Sequence, residues 1–128
     1  MNLGRTVAAV ACGGAAGALA RYGLGVAFPT APAGFPWTTL ASNVVGCLLI
    51  GVLIAVAGGH ALLRPLLGTG VLGGFTTFST YILDIHRLVR AEQLPLALAY
   101  LALTVVGALA GVLAGGALAT RISGRVRT

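Results

Sequence analysis

An all-α membrane protein of four transmembrane helices, the third of them broken, is the fold class that three observations on this 128-residue chain predict. Hydrophobic residues make up 58% of it and charged residues 8%, with a mean hydropathy of +1.01, far from the usage of soluble domains. Four apolar runs each come close to or exceed the roughly 20 residues that cross a bilayer as a helix. One of those runs is interrupted near its middle by glycines and hydroxyl side chains. The whole chain, 1–128, therefore reads as a single transmembrane domain with helices at about 6–27, 38–58, 66–89 and 94–120.

The first run carries Arg5, an apolar stretch and a small-residue Ala18-Leu19-Ala20 site, features shared with a signal peptide. It continues past Arg21 to Val26 and Phe28, and three further spans follow, so it is expected to stay as a helix. Pro29, Pro32 and Pro36 with Gly34 end it and form the first connector, because proline lacks the donor a helix needs. Gly58-Gly59-His60 with Arg64 and Pro65 marks the second connector, and Arg87, Arg90, Glu92 and Pro95 surround the third. Gly13 and Gly17 in the first span, and Gly107, Gly111 and Gly115 in the fourth, are small-xxx-small patterns. They allow close helix contact in lipid, within one chain or between two.

The third span reads Leu72-Gly73-Gly74-Phe75-Thr76-Thr77-Phe78-Ser79-Thr80-Tyr81, polar where a bilayer helix should be most apolar. Backbone that leaves the helix at membrane depth is tolerated only where it is buried in protein or lines a wet cavity, and its freed carbonyls are natural cation ligands. A break at Gly73–Thr77 is expected. The alternative is an unbroken helix whose threonines bond back to its own carbonyls.

All eight basic residues are arginine, and the acids are Asp84 and Glu92 alone. Without lysine there is no P-loop and no Schiff-base chemistry. Two carboxylates eight residues apart do not make a paired-carboxylate hydrolase or an all-oxygen divalent-metal cage. The arginines stand at span ends, where lipid headgroups lie, instead of forming one polar face for nucleic acid. With four spans, Arg5, Arg64, Arg121, Arg125 and Arg127 share one side, and Arg21, Arg87 and Arg90 the other. That bias is weak, and insertion in both directions is open. Cys12 and Cys47 lie in apolar runs and behave as small hydrophobes. His60 and His86 are near connectors and define neither a metal site nor a triad, so no enzyme is expected.

Few other polar groups lie within the spans. Asn43 offers two uncharged donors, and Thr39 shares its face at i−4. Tyr100 and Thr104 repeat that spacing in the fourth span. Phe78 and Tyr81 share a face of the third, and aromatic edges carry positive potential that helps solvate an anion. Asp84 follows one turn later, near the interface, to pair with Arg87 or to act as a charge at a mouth. Neutral donors, ring edges and Arg21 with no midplane carboxylate are chemistry for a small anion.

In order and spacing, Gly13-Gly14-Ala15-Ala16-Gly17-Ala18-Leu19-Ala20-Arg21-Tyr22, Thr39-Leu40-Ala41-Ser42-Asn43-Val44-Val45-Gly46 and Gly73-Gly74-Phe75-Thr76-Thr77-Phe78-Ser79-Thr80-Tyr81 resemble the CrcB/Fluc fluoride channel family. The resemblance covers essentially the whole chain, and the third motif is its most specific part. It implies an antiparallel, dual-topology homodimer in the cell (inner or plasma) membrane, with lipid around it and two fluoride pathways along the subunit interface. By the same resemblance, backbone carbonyls of Gly73 and Thr76 would hold a structural Na⁺ on the dimer axis. Asn43 would be the pore asparagine, Phe78 and Tyr81 the paired aromatics, and Thr39, Ser79, Thr80, Tyr100 and Thr104 the hydroxyl track. Arg21 would stand by the vestibule. Two departures bear on the pore: Tyr81 replaces the family's usual Phe, and Ala108 follows Thr104 where relatives continue the hydroxyls.

The function implied is passive, selective fluoride export that lowers fluoride toxicity. The alternatives are a small proton-coupled multidrug or cation exporter, which would want an embedded carboxylate, and a structural membrane subunit whose polar groups only join helices. Asn43→Ala is expected to depress flux while leaving the assembly intact.

Overall fold

The computed structural model of the chain describes residues 2–58 and 60–126. Gly59 and Arg127, counted above in a connector and in the tail, lie outside the described residues, as does the side chain of Arg125. Helix α1 spans Leu3–Ala27 and α2 spans Trp37–Val56. A π-helical segment, Pro65–Leu72, runs into the single turn α3, Gly73–Phe75. Helix α4 spans Phe78–Arg90 and α5 spans Leu94–Val126. Four stretches, Leu3–Ala27, Trp37–Val56, Pro65–Arg90 and Leu94–Gly124, are long and apolar enough to cross a membrane. Among the described residues no strand occurs.

The helix ends follow local chemistry. The Asn2 side chain accepts from the Gly4 N–H at 3.0 Å and caps α1, meeting a donor that the first turn leaves orphaned. The first connector is tied at its base by the Thr38 hydroxyl, which donates to the Phe28 carbonyl at 2.7 Å. At the end of α4, Gln93 N–H reaches the Leu88 carbonyl at 2.9 Å and Glu92 N–H the Val89 carbonyl at 3.0 Å. This is the Schellman closure, and it puts Glu92 at φ 58°, where glycine is the usual residue. Glu92→Gly is therefore expected to raise stability by about 1 kcal/mol, read as a higher unfolding temperature in detergent.

Packing divides the chain into two intimate pairs, α2 with α5 and α1 with the π-helical segment and α3, while α4 leans on α5. Both glycine stripes are spent on these intrachain pairs. A Cβ on Gly17 would overlap the Val71 carbonyl oxygen and stand 2.8 Å from the Phe75 nitrogen, and one on Gly115 would overlap the Leu48 carbonyl oxygen. Backbones approach this closely only where no side chain intervenes.

The distribution of polarity is that of a membrane protein. Leu109 and Leu113 are 63% and 74% exposed, whereas Ser42, Asn43 and Thr104 are buried. A solvent able to accept those leucines is lipid. The small core comprises Tyr81, Leu88, Ala97 and Tyr100, with Phe35, Leu40, Ile85 and Leu96 against it. It lies toward the end of the bundle that holds the first connector.

Candidate functional site

Between α3 and α4, Thr76 and Thr77 are extended, with φ/ψ of −80°/154° and −149°/124°. The Thr76 hydroxyl bonds back to the Leu72 carbonyl at 2.9 Å, and the chain nevertheless leaves the helix at Thr76. Thr77 then caps α4, its Oγ1 accepting from Thr80 N–H at 3.1 Å.

Asn43, reaching over from α2, closes a two-bond ring with the Thr77 backbone. Its Oδ1 accepts from Thr77 N–H at 2.8 Å and its Nδ2 donates to the Thr77 carbonyl at 3.0 Å. An amide side chain thus replaces the helical partners that Thr77 lacks. One N–H of the Asn43 amide remains to donate, not two.

These bonds also release carbonyls. In a continuous helix Thr77 N–H would serve the Gly73 carbonyl and Thr80 N–H the Thr76 carbonyl; here they serve Asn43 Oδ1 and Thr77 Oγ1. The Gly74 carbonyl is taken by Arg21, whose Nε donates at 3.3 Å. Arg21 is half-buried and turned inward, toward a carbonyl at a helix C-terminus that attracts a cation.

Arg21 also lines a cleft of about 340 Å³ with Thr39, Ser42, Thr77 and Thr80, between the end of α1 and the starts of α2 and α4. The other residues singled out from the sequence do not line it, although Asn43 and Ser79 reach Thr77 on its wall. Phe78 is 75% exposed, and Ser79 is exposed beside it. Tyr81 is buried, its ring tilted against Phe78 at 5.8 Å and edge-on to Tyr100 at 5.3 Å, and its hydroxyl donates to the Leu101 carbonyl at 3.1 Å. Tyr100 is fully buried and donates to Asp84 Oδ2 at 3.4 Å. Thr104 is 6% exposed and its Oγ1 has no hydrogen-bond partner among the described residues. Gly73 faces outward and Thr76 is half-buried. No cluster of three metal-ligating side chains occurs among the described residues.

Thr77 is the hub that reading the sequence did not single out within its motif. A threonine directly ahead of an amphipathic run is an N-cap signal and could have marked it. Its bond to Asn43 spans 34 residues and leaves no local trace.

Four apolar spans, with hydrogen-bonding groups gathered where α2 meets the α3–α4 junction, define a small multi-pass membrane protein. Residues 8–116 match the family model described as CrcB-like protein, Camphor Resistance (CrcB), and the chain belongs to the CrcB family. It is 53% identical over 110 residues to Fluoride-specific ion channel FluC 1 of Streptomyces coelicolor, covering 83% of this chain and 71% of that protein. Fluoride-specific ion channel FluC 2 of Streptomyces avermitilis is 55% identical over 103 residues, 77% of this chain and 65% of the relative, just under two thirds of its length. Fluoride-specific ion channel FluC 2 of Nocardia farcinica is 47% identical over 123 residues, 93% of this chain and 88% of the relative.

Proposed function

We propose that this protein is a fluoride-selective passive anion channel that lets fluoride leave the cytoplasm and lowers its toxicity. The observation that carries the reading is the similarity over most of the chain to relatives named fluoride-specific ion channels. The geometry supports it. The mid-span donors are neutral, and among the described residues Arg21 is the only charged side chain lining the cleft. The protein is no enzyme, in keeping with the channel names of its relatives.

Fluoride enters cells as uncharged HF and dissociates in a near-neutral cytoplasm. An inside-negative potential, worth about 2.3 kcal/mol per charge per 100 mV, then drives the anion outward through any selective pore. Selectivity over chloride would follow from donors that close around a small anion and are held too rigidly to open around a larger one. The free N–H of Asn43, the hydroxyls of Thr39, Ser79, Thr80, Tyr100 and Thr104 and the edges of Phe78 and Tyr81 are the candidates, with Arg21 gathering anions in the cleft. Because the Tyr81 hydroxyl is engaged by Leu101, its ring edge is the part left to an anion.

The functional unit in this reading is an antiparallel, dual-topology homodimer. Its support is the outward placement of Ser79 and Gly73, a hydroxyl and a stretch of bare backbone that lipid does not solvate well. A structural Na⁺ fits the same face. The Gly73 and Thr76 carbonyls have lost their usual helical donors, and neutral oxygens suit a hard monovalent cation, with a second copy adding to the ligand set. When bound, such an ion would supply positive charge beside the anion path. A proton-coupled exporter is not favoured: Asp84, the one carboxylate in the spans, is occupied by Arg87 and Tyr100.

The test is efflux from vesicles holding only the purified protein, followed with fluoride and chloride electrodes against protein-free vesicles. Rapid fluoride loss with chloride retained is the expected result. Equal loss of both ions, or of neither, would refute the reading.

A further inference from the structure

Arg87 stands at the end of the third span with two partners at once. At 1.5 Å rise per residue along α4, Asp84 stands about 10 Å and Arg87 about 15 Å beyond Thr77. The extended pair lies near the centre of the Pro65–Arg90 stretch, so Arg87 falls at the edge of a hydrocarbon core about 30 Å thick. From there its guanidinium is shared between two tasks. Nη1 donates to the carbonyls of Ala31 and Pro32, the latter at 2.7 Å, and Nη2 to that of Gly34 at 3.2 Å. Nη2 is also 3.7 Å from Asp84 Oδ1, with the Arg87 and Asp84 side chains 29% and 16% exposed.

Asp84 meanwhile stands at the outer end of a row formed by Phe78, Tyr81 and Tyr100, linked to it by the Tyr100 hydroxyl. A bare carboxylate at that place would repel any anion passing along the row, and half-buried charges are screened less than exposed ones. A single guanidinium can both cancel that charge and hold three carbonyls of the α1–α2 connector, which the point charge of a lysine could do only in part.

We propose that Arg87 is a positioning and charge-compensating residue for anion passage: it cancels Asp84 at the outer end of the aromatic row and fixes the first connector beside it. The inference rests on the anion-channel reading. Its test compares fluoride efflux from vesicles carrying the full chain, Arg87→Gln, Asp84→Asn and the double variant, at low and high ionic strength. Arg87→Gln is expected to lower efflux roughly tenfold at low salt, the scale on which one unbalanced charge beside an ion path alters passage. The deficit should shrink at high salt, and Asp84→Asn in the same chain should restore most of the flux. A deficit that survives in the double variant and ignores salt overturns compensation, leaving Arg87 as a brace for the connector. Unchanged efflux in Arg87→Gln overturns the proposal as well. If the unmodified protein itself passes no fluoride, the channel reading falls and this inference with it, an outcome distinct from the other two.

Discussion

Asn43→Ala is expected to cut fluoride efflux by about a hundredfold or more, equivalent to some 2.7 kcal/mol in the barrier, and to destabilise the protein at the same time. The reason for the second effect is the ring it forms with Thr77. Removing the amide strands an N–H and a carbonyl at membrane depth, at about 1–3 kcal/mol for each group left unmade. Loss of flux with assembly untouched, the outcome foreseen from the sequence alone, would hold only if Asn43 faced the ion and nothing else. Asn43→Asp keeps an acceptor for Thr77 N–H but sets a carboxylate oxygen against the Thr77 carbonyl and adds a buried negative charge. Its flux should be as low as that of the alanine variant, with at least as large a loss of thermal stability in detergent. An Asn43→Ala protein that conducts normally and melts at the unmodified temperature would remove the residue from both roles.

Gly17→Ala is expected to cost about 3 kcal/mol or more, at the upper end of what overpacking exacts, enough to remove most folded protein from a detergent extract. The added Cβ meets backbone on the facing segment, the Val71 carbonyl and the Phe75 nitrogen, and backbone cannot rotate aside as a side chain would. Gly23→Ala supplies the control on the same helix, since nothing lies within 4 Å of its Cβ position. That variant should be neutral or slightly stabilising, by up to about 1 kcal/mol of helix propensity. Equal behaviour of the two variants in size-exclusion yield and thermal melts would mean that α1 does not pack on the third span as described.

Much of the architecture was legible from composition. Four apolar stretches and proline-rich or charged connectors locate helices because a bilayer demands about 20 apolar residues and internal satisfaction of every backbone group. The unusual run of glycines and hydroxyls around Thr76 and Thr77 was legible for the same reason, as a departure from what lipid permits. The π-helical winding of Pro65–Leu72 was not legible. Its side-chain pattern does not differ from that of an α-helix at this length, and the choice depends on which backbone carbonyl each N–H finds.

By itself, then, the sequence determined that the chain belongs in a membrane and that four spans cross it, with the last helix running on to Val126, past the residue 120 that hydropathy suggested. Tertiary structure alone decided what the polar residues of those spans do. It joined Asn43 to Thr77, turned Arg21 toward the Gly74 carbonyl and committed the Tyr81 hydroxyl to Leu101. It also assigned the glycine stripes to contacts within one chain. The physical reason is range: hydropathy and turn chemistry act between near neighbours in the chain, whereas a hydrogen bond in a dry interior goes to whatever partner the packing brings within about 3 Å, however many residues separate the two.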